Sequence, residues 1–530
     1  MLNQTSTAGG QQVWTADLGN GTYRNPILYA DYSDPDVIRV GGDFYMTASS
    51  FAHTPGLPIL HSKDLVNWRL IGHAVDRMPG EYDGPVRHGD GVWAPSMRYH
   101  DGKFWIFFSA PDEGIYMTTA TDPAGPWSPL HLVKEAKGWI DPCPFWDEDG
   151  RAYLVHAFAR SRSGIKHRLK MCGMKPDGTE LLDDGVIIYD GELNHPTMEG
   201  PKMYKRNGYY YIFAPAGGVP TGWQTILRSR DVYGPYEDKI VLQQGSTETN
   251  GPHQGGYVEL ESGECWFIHF QDRNAYGRIV HLQPMRWEDD WPLMGIDIDG
   301  DGIGEPVSVH KKPDVGGIHP IQVPDTSDEF DADALGLQWQ WQGNPGAVCA
   351  SLTERPGWLR LYSRPLPGAA ETVYASPDML CQKLPAPSFR VTAKLEFHPE
   401  AEGERAGLIV FGHAYAYLAL RKERDRLALV LVEGRGGGEN WERTLAAAEG
   451  DAPEGPVYLR AECRPEAVFA FAYSWDDRTY TPIGGDFTAT PGGWVGAKIG
   501  LLSLLGGTES AAGGYADFDW FRLEPAGDLA

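Results

Sequence analysis

Between Gly42 and Trp266 the pattern Gly-x-x-(Trp/Tyr) opens an apolar run five times: Gly42–Tyr45, Gly102–Trp105, Gly150–Tyr153, Gly208–Tyr211 and Gly263–Trp266. Successive aromatics stand 60, 48, 58 and 55 residues apart. Runs such as FWIFFS from Phe104 and YYYIFAPA from Tyr209 have strand composition, and a glycine stands where each hairpin must reverse. Three units carry a second aromatic downstream, in SKDLVNW ending at Trp68, ATDPAGPW at Trp127 and SRDVYGPY at Tyr236. Roughly fifty residues is the length of a four-stranded propeller blade. The spacing therefore predicts a five-bladed β-propeller from about residue 23 to 310.

A chain of 530 residues exceeds one ordinary core and implies further domains. With 12% aromatics, 65 glycines and 40 prolines it favours short strands and tight turns, hence an all-β protein. Proline and glycine rise over residues 311–324, where the blade pattern stops and a linker is expected. Beyond it FRVTAKLEF, YAYLALR, LALVLVE and YADFDWF read as strands with one buried face, which fits an antiparallel sandwich over 325–530. Residues 1–22 are read as an N-terminal tail. Trp339, Trp341 and Trp358 are assigned to core or interdomain packing in preference to a sugar platform.

A formal charge of -26 repels nucleic-acid phosphates and anionic lipid, so neither nucleic acid nor membrane is expected as a partner. Six scattered cysteines show no CxxC and no zinc spacing, and read as reduced thiols. The N-terminal stretch has neither a basic segment nor an apolar one of signal-peptide type. A soluble cytoplasmic protein is the expectation, with self-association into a homo-oligomer left open.

In a propeller the residues just upstream of each innermost strand converge on one cavity. Counting back from the turn glycines reaches Asp34 in SDPDV, Trp93-Ala-Pro95, Asp141 in IDPCP, Glu199 in EGPKM and His253 in PHQGG. Proline cannot donate to a ladder and so belongs at a strand's start; it is expected to hold the preceding Asp34 and Asp141 extended, aiming the acids. Three carboxyls in one cavity repel, so one should stay protonated at neutral pH while another is a base. Separated pKa values are what glycoside hydrolysis needs: an acid for the leaving oxygen and a base for water.

The runs from Asn25 to Phe51, VWAPSMRYHDGKFW, WIDPCPFWDEDGRAYLV and EGPKMYKRNGYYYIFAPAGG resemble glycoside hydrolase family 43, five-bladed propeller enzymes that include β-xylosidases and α-L-arabinofuranosidases. SDEFDADALGLQWQW and YADFDWFRLE resemble the concanavalin-like β-sandwich carried by many family β-xylosidases. The resemblance implies that Asp34 is the general base, that Asp141 orients the acid and raises its pKa, and that Glu199 is the general acid of an inverting reaction. It implies that Phe51 and Trp93 pack on the sugar and that Arg278 hydrogen-bonds it; Trp223 in PTGWQT stays open between a substrate contact at the rim and plain core packing. His253 stays open between a structural residue, a substrate contact and, as in some family members, a ligand to Ca2+ on the propeller axis. No cofactor enters the expected chemistry. DIDGDGIGE from Asp297 is read as an acidic turn, because Ser308 stands where an EF-hand needs its bidentate Glu. EGRGGGEN around Arg435 reads as a loop.

The leading expectation is an exo-acting inverting β-D-xylosidase acting on small xylo-oligosaccharides. The alternatives are an α-L-arabinofuranosidase or bifunctional enzyme and, in another class, a non-catalytic carbohydrate-binding propeller, against which the intact set of acids argues.

Overall fold

The computed structural model describes residues 12–368, 370–438, 440–506 and 513–526. Five four-stranded antiparallel sheets, each with its strands in chain order, form the propeller. Blade I comprises Asp36–Val40, Asp43–Thr47, Gly56–Ser62 and Trp68–Val75. Blade II comprises Ser96–His100, Lys103–Ala110, Gly114–Ala120 and His131–Glu135. Trp139–Trp146, Ala152–Phe158, Arg168–Met174 and Val186–Asp190 make blade III. Lys202–Arg206, Tyr209–Ala216, Trp223–Ser229 and Glu237–Leu242 make blade IV. Blade V is His253–Glu259, Cys265–Asp272, Arg278–Glu288 and Trp291–Met294.

The repeat has a physical origin in two places. Asp101-Gly102 and Asn207-Gly208 both take positive φ (48° and 73°; 51° and 74°), forming the two-residue turns whose twist suits a hairpin. In blade I the left-handed residue is Gly41 (φ 62°), one position before the glycine of the sequence pattern. The aromatics fill the seams between blades: Trp105 packs with Leu154 and Cys172 of blade III, Tyr211 with Phe267 of blade V, and Trp266 with Phe44 and Met46 of blade I. One wedge per seam explains why the period is that of the blade.

The ring closes between its last and first blades. Asn25 Nδ2 donates to the carbonyls of Leu282 and Val307, each at 2.8 Å. Thr22–Arg24 pairs with Val309–Lys311, so the ladder ends one residue inside the segment expected as a linker. Residues 12–22 of the expected tail are packed rather than loose: Asp17, 8% exposed, bonds Asn67 and Lys312.

Two seven-stranded sheets form the sandwich. Period-two alternation is visible in Arg405–Phe411, where Leu408 and Val410 face the core between the sheets while Ile409 and Phe411 pack with Val373 and Tyr374 on the other side. The sandwich docks on blade I through Thr54 and Trp341, whose backbones exchange hydrogen bonds of 3.2 and 2.6 Å. Trp339 is sealed in the sandwich core, while Trp358 lies under Arg355 with the guanidinium 3.5 Å from the ring centroid. Among the described residues no helix is long and apolar enough to cross a membrane.

Candidate active site

The three acids reach one cavity of about 340 Å3, from the loop entering blade I, from the innermost strand of blade III and from the loop entering blade IV. Asp34 and Asp141 are 5% and 4% exposed, while Glu199 is half-buried. A second cavity of similar volume between propeller and sandwich is lined by Trp14, Tyr29 and Lys383 and has Asp325 as its one acid, so it lacks the carboxyl pair.

The residues before the two prolines are not extended, contrary to the sequence expectation. Asp34 has φ 54° and Asp141 φ 57°, both left-handed. At Asp141 the ladder shifts register between Ile140 and Cys143, so Asp141-Pro142 forms a bulge that turns the carboxyl out of the pleat. Backbone in this region costs on the order of 1–3 kcal/mol per residue and persists only where the surroundings over-determine it. Here the determinants are hydrogen bonds. Asp141 Oδ2 accepts from Gly200 N at 2.8 Å. Asp34 Oδ2 accepts from Ser33 Oγ at 2.8 Å and Ser49 Oγ at 2.6 Å, and Asp34 Oδ1 accepts from Arg278 Nη1 at 2.8 Å.

Burial and the Asp34 charge push Asp141 above the usual carboxylate range, against the Gly200 bond and the Lys202 and Arg278 charges. Burial and then Asp141 push Glu199 up as well, with Arg278 and Lys166 pulling it down. The two carboxyls titrate as a pair, and one proton stays on the pair at neutral pH. Glu199 is the more exposed of the two, half-buried where Asp141 is 4% exposed, so it is placed to carry that proton.

Phe51, Trp93 and Arg278 line the cavity as expected from the sequence. Phe51 is fixed by a bridge to Val92, which sets its ring 6.4 Å from that of Trp93. Gly91 (φ 91°) allows the bridge, since a Cβ there would stand 2.3 Å from the Phe51 carbonyl oxygen. The Arg278 guanidinium is committed to Asp34 and to Ser33 Oγ at 2.7 Å, and it stacks over Phe270.

Trp223 and His253 do not line this cavity. The Trp223 ring covers Gly217 and its Nε1 points to His195 Nδ1 at 3.4 Å, so that Gly218, Val219 and Pro220 face the cavity instead. His253 is 1% exposed, its Nδ1 bonded to the Gly251 carbonyl at 2.8 Å and its Nε2 without a partner among the described residues. The next residue, Gln254, is the one that reaches the cavity. Burial pushes the His253 ring down to about 4, which leaves it neutral.

A calcium ion on the axis would take only His253 from these residues and would depend on water for its oxygens. Ca2+ takes six to eight oxygen ligands. His253 offers one nitrogen, and among the described residues no group of three His, Cys, Asp or Glu side chains gathers ligand atoms around it. The one such group is Asp297, Asp299 and Asp301, in the turn read as acidic. There Asp297 accepts from Gly300 N and Gly302 N, and Asp301 accepts from Ile303 N.

Sequence reasoning missed Trp494, Arg160, Lys166 and Gln254, which also line the cavity. Trp494 comes from the sandwich, 54% exposed and with its ring 6.1 Å from Trp93. Its one local mark is the flanking Gly-Gly of PGGW, and nothing local says which domain it meets.

Residues 23–292 match the family model described as glycosyl hydrolases family 43, and residues 327–524 match the β-xylosidase C-terminal concanavalin A-like domain. A putative β-xylosidase of Xylanibacter ruminicola is 44% identical over 492 residues, which cover 92% of this chain and 88% of that protein. The non-reducing end α-L-arabinofuranosidase BoGH43B of Bacteroides ovatus is 29% identical over 540 residues, 96% of each chain. The crystal structure of BlXynB from Bacillus licheniformis superposes with a TM-score of 0.81 at 29% identity, covering 95% of this chain and 100% of that one.

Proposed function

Because the chain belongs to glycosyl hydrolase family 43, a family of glycoside hydrolases, we propose that it releases terminal β-D-xylose from xylo-oligosaccharides with inversion at the anomeric carbon. The observation that carries this reading is the arrangement of three carboxyls in one cavity: Asp34 held by Arg278 and two serines, beside Asp141 and Glu199, whose carboxyls burial and their mutual repulsion push upward.

In this reading Glu199 gives its proton to the glycosidic oxygen as the C1–O bond breaks. A water on the opposite face of the sugar attacks C1 and loses a proton to Asp34. Solvent then returns a proton to Glu199 and takes one from Asp34, which restores the site. Asp141 touches neither bond; held by Gly200 N, its negative charge keeps the proton on Glu199. Phe51 and Trp93 give apolar faces to the ring C–H groups. No cofactor takes part in these steps. Trp494 stands across the cavity from the propeller side and favours cleavage at a chain end over cleavage within a chain.

A second reading, α-L-arabinofuranosidase alone or alongside, is favoured by the similarity to BoGH43B across the full chain. A reducing compartment is in keeping with six cysteines that form no disulfide, five of them buried. Proton NMR of the first sugar released from xylobiose tests substrate and stereochemistry together. α-Xylose as the first anomer is expected; β-xylose first, or no xylose while an aryl arabinofuranoside is cleaved, overturns the primary reading.

A further inference from the structure

Lys202 is the first residue of the innermost strand of blade IV and is 0% exposed. A lysine at such a site is rarely tolerated without a function or a carboxylate partner. Its Nζ donates to the carbonyl of Pro95 at 2.9 Å, and among the described residues it forms no ion pair within 4.0 Å. Pro95 enters blade II, so this bond links blade IV to blade II past the innermost strand of blade III. Asp141 lies on blade III between those two anchors, and Lys202 is among the charges acting on it. On the innermost strand of blade II, Arg98 bonds Asp36 of blade I at 2.8 Å and Cys143 Sγ of blade III at 3.0 Å.

We propose that the Lys202 ammonium is the cation on the axis of this propeller, a positioning residue that holds Asp141 in its charged form from below and does not touch the sugar. The inference rests on the site reading above, in which Asp141 keeps the proton on Glu199. The charges facing Asp141 are Asp34, Glu199, Arg278 and Lys202, with Lys166 acting on Glu199 from the mouth and His253 lying near Asp34 and Arg278. Arg278 is bound to Asp34. That leaves Lys202 as the cation free to balance Asp141, and two cations then match the two carboxylates that remain when Glu199 is protonated.

The test compares kcat/KM against pH on xylobiose for the wild-type chain, Lys202→Gln, Lys202→Met, Lys202→Arg and Asp141→Asn. Lys202→Gln keeps a donor for the Pro95 carbonyl and removes the charge. Its acidic limb is expected to move up by about one pH unit, with kcat reduced about tenfold and KM little changed, because Asp141 then takes up a proton more readily. Lys202→Arg is expected to restore the wild-type limb. Folded neutral variants with unshifted profiles would overturn the proposal, and so would an Arg variant as impaired as Gln. If neither neutral variant folds, the Lys202→Arg profile decides: an acidic limb at the wild-type position is expected, and one moved up overturns the assignment. Unimpaired Asp141→Asn would instead sink the site reading; an impaired one beside normal Lys202→Gln sinks the lysine assignment alone.

Discussion

Arg278 binds Asp34 at 2.8 Å through Nη1, and its backbone N–H donates at 2.9 Å to Asp31, whose other oxygen accepts from Gly496 N at 2.8 Å. Asp34, the proposed base, is thus tied through two residues to the sandwich. Arg278→Lys keeps a charge and loses the planar fork, and is expected to lower kcat on xylobiose by roughly 10- to 100-fold with the fold intact. Steady-state kinetics and a melting curve check it; a lowered melting temperature with kcat preserved would contradict the link.

Glu199 and Asp34 should separate by leaving group. Glu199→Gln is expected to lose roughly 1,000-fold or more on xylobiose and far less on a dinitrophenyl β-xyloside, whose phenolate departs without a proton. Asp34→Ala is expected to lose comparably on both, since water must be activated either way. Equal losses for Glu199→Gln on the two substrates would remove it as the acid.

The pH profile follows from the direction of the Glu199 shift. Its protonated form is the active one and burial raises its pKa to about 8, so kcat/KM should hold through neutrality and fall above about pH 8. An alkaline limb near the ordinary Glu value of 4.5 would mean that another group is the acid.

Lys383, at the domain interface, is expected to limit stability. Burial and the Lys498 charge push it down to about 7 from 10.5. The unfolded chain therefore binds the extra proton between those values, and stability from this group is greatest above pH 10.5 and is lost as pH falls toward 7. Lys383→Met should raise the melting temperature more at pH 6 than at pH 10. The Gln340 Oε1 it leaves behind, now bonded at 2.9 Å, offsets part of the gain. A uniform shift across that range would refute the burial argument.

Trp494→Ala tests the sandwich's part in the site. The residue is more than half exposed, so stability should change by less than about 1 kcal/mol. KM for xylotriose should rise several-fold while kcat on an aryl xyloside changes little. An unchanged KM would leave Trp494 outside the substrate's path.

The amino-acid order by itself determined the five blades, the sandwich strands and the three acids, because each depends on short-range rules. Two-residue turns need left-handed positions, strands alternate with period two, and one aromatic wedge is needed at each seam. Those rules write a repeat that can be counted. Asp34 and Asp141 could be singled out by register with that repeat, but not their left-handed backbone, since the bulge at Ile140–Cys143 depends on the neighbouring strand and on Gly200. Only the tertiary structure decided that Arg278 clamps Asp34, that Trp494 arrives from another domain, that Gln254 rather than His253 lines the cavity of the three acids, and that Lys202 bonds Pro95 of another blade. The Lys202–Pro95 and Arg278–Asp34 contacts join residues 107 and 244 positions apart. They exist because the ring closes and the sandwich docks, and such closure leaves no local periodicity to read.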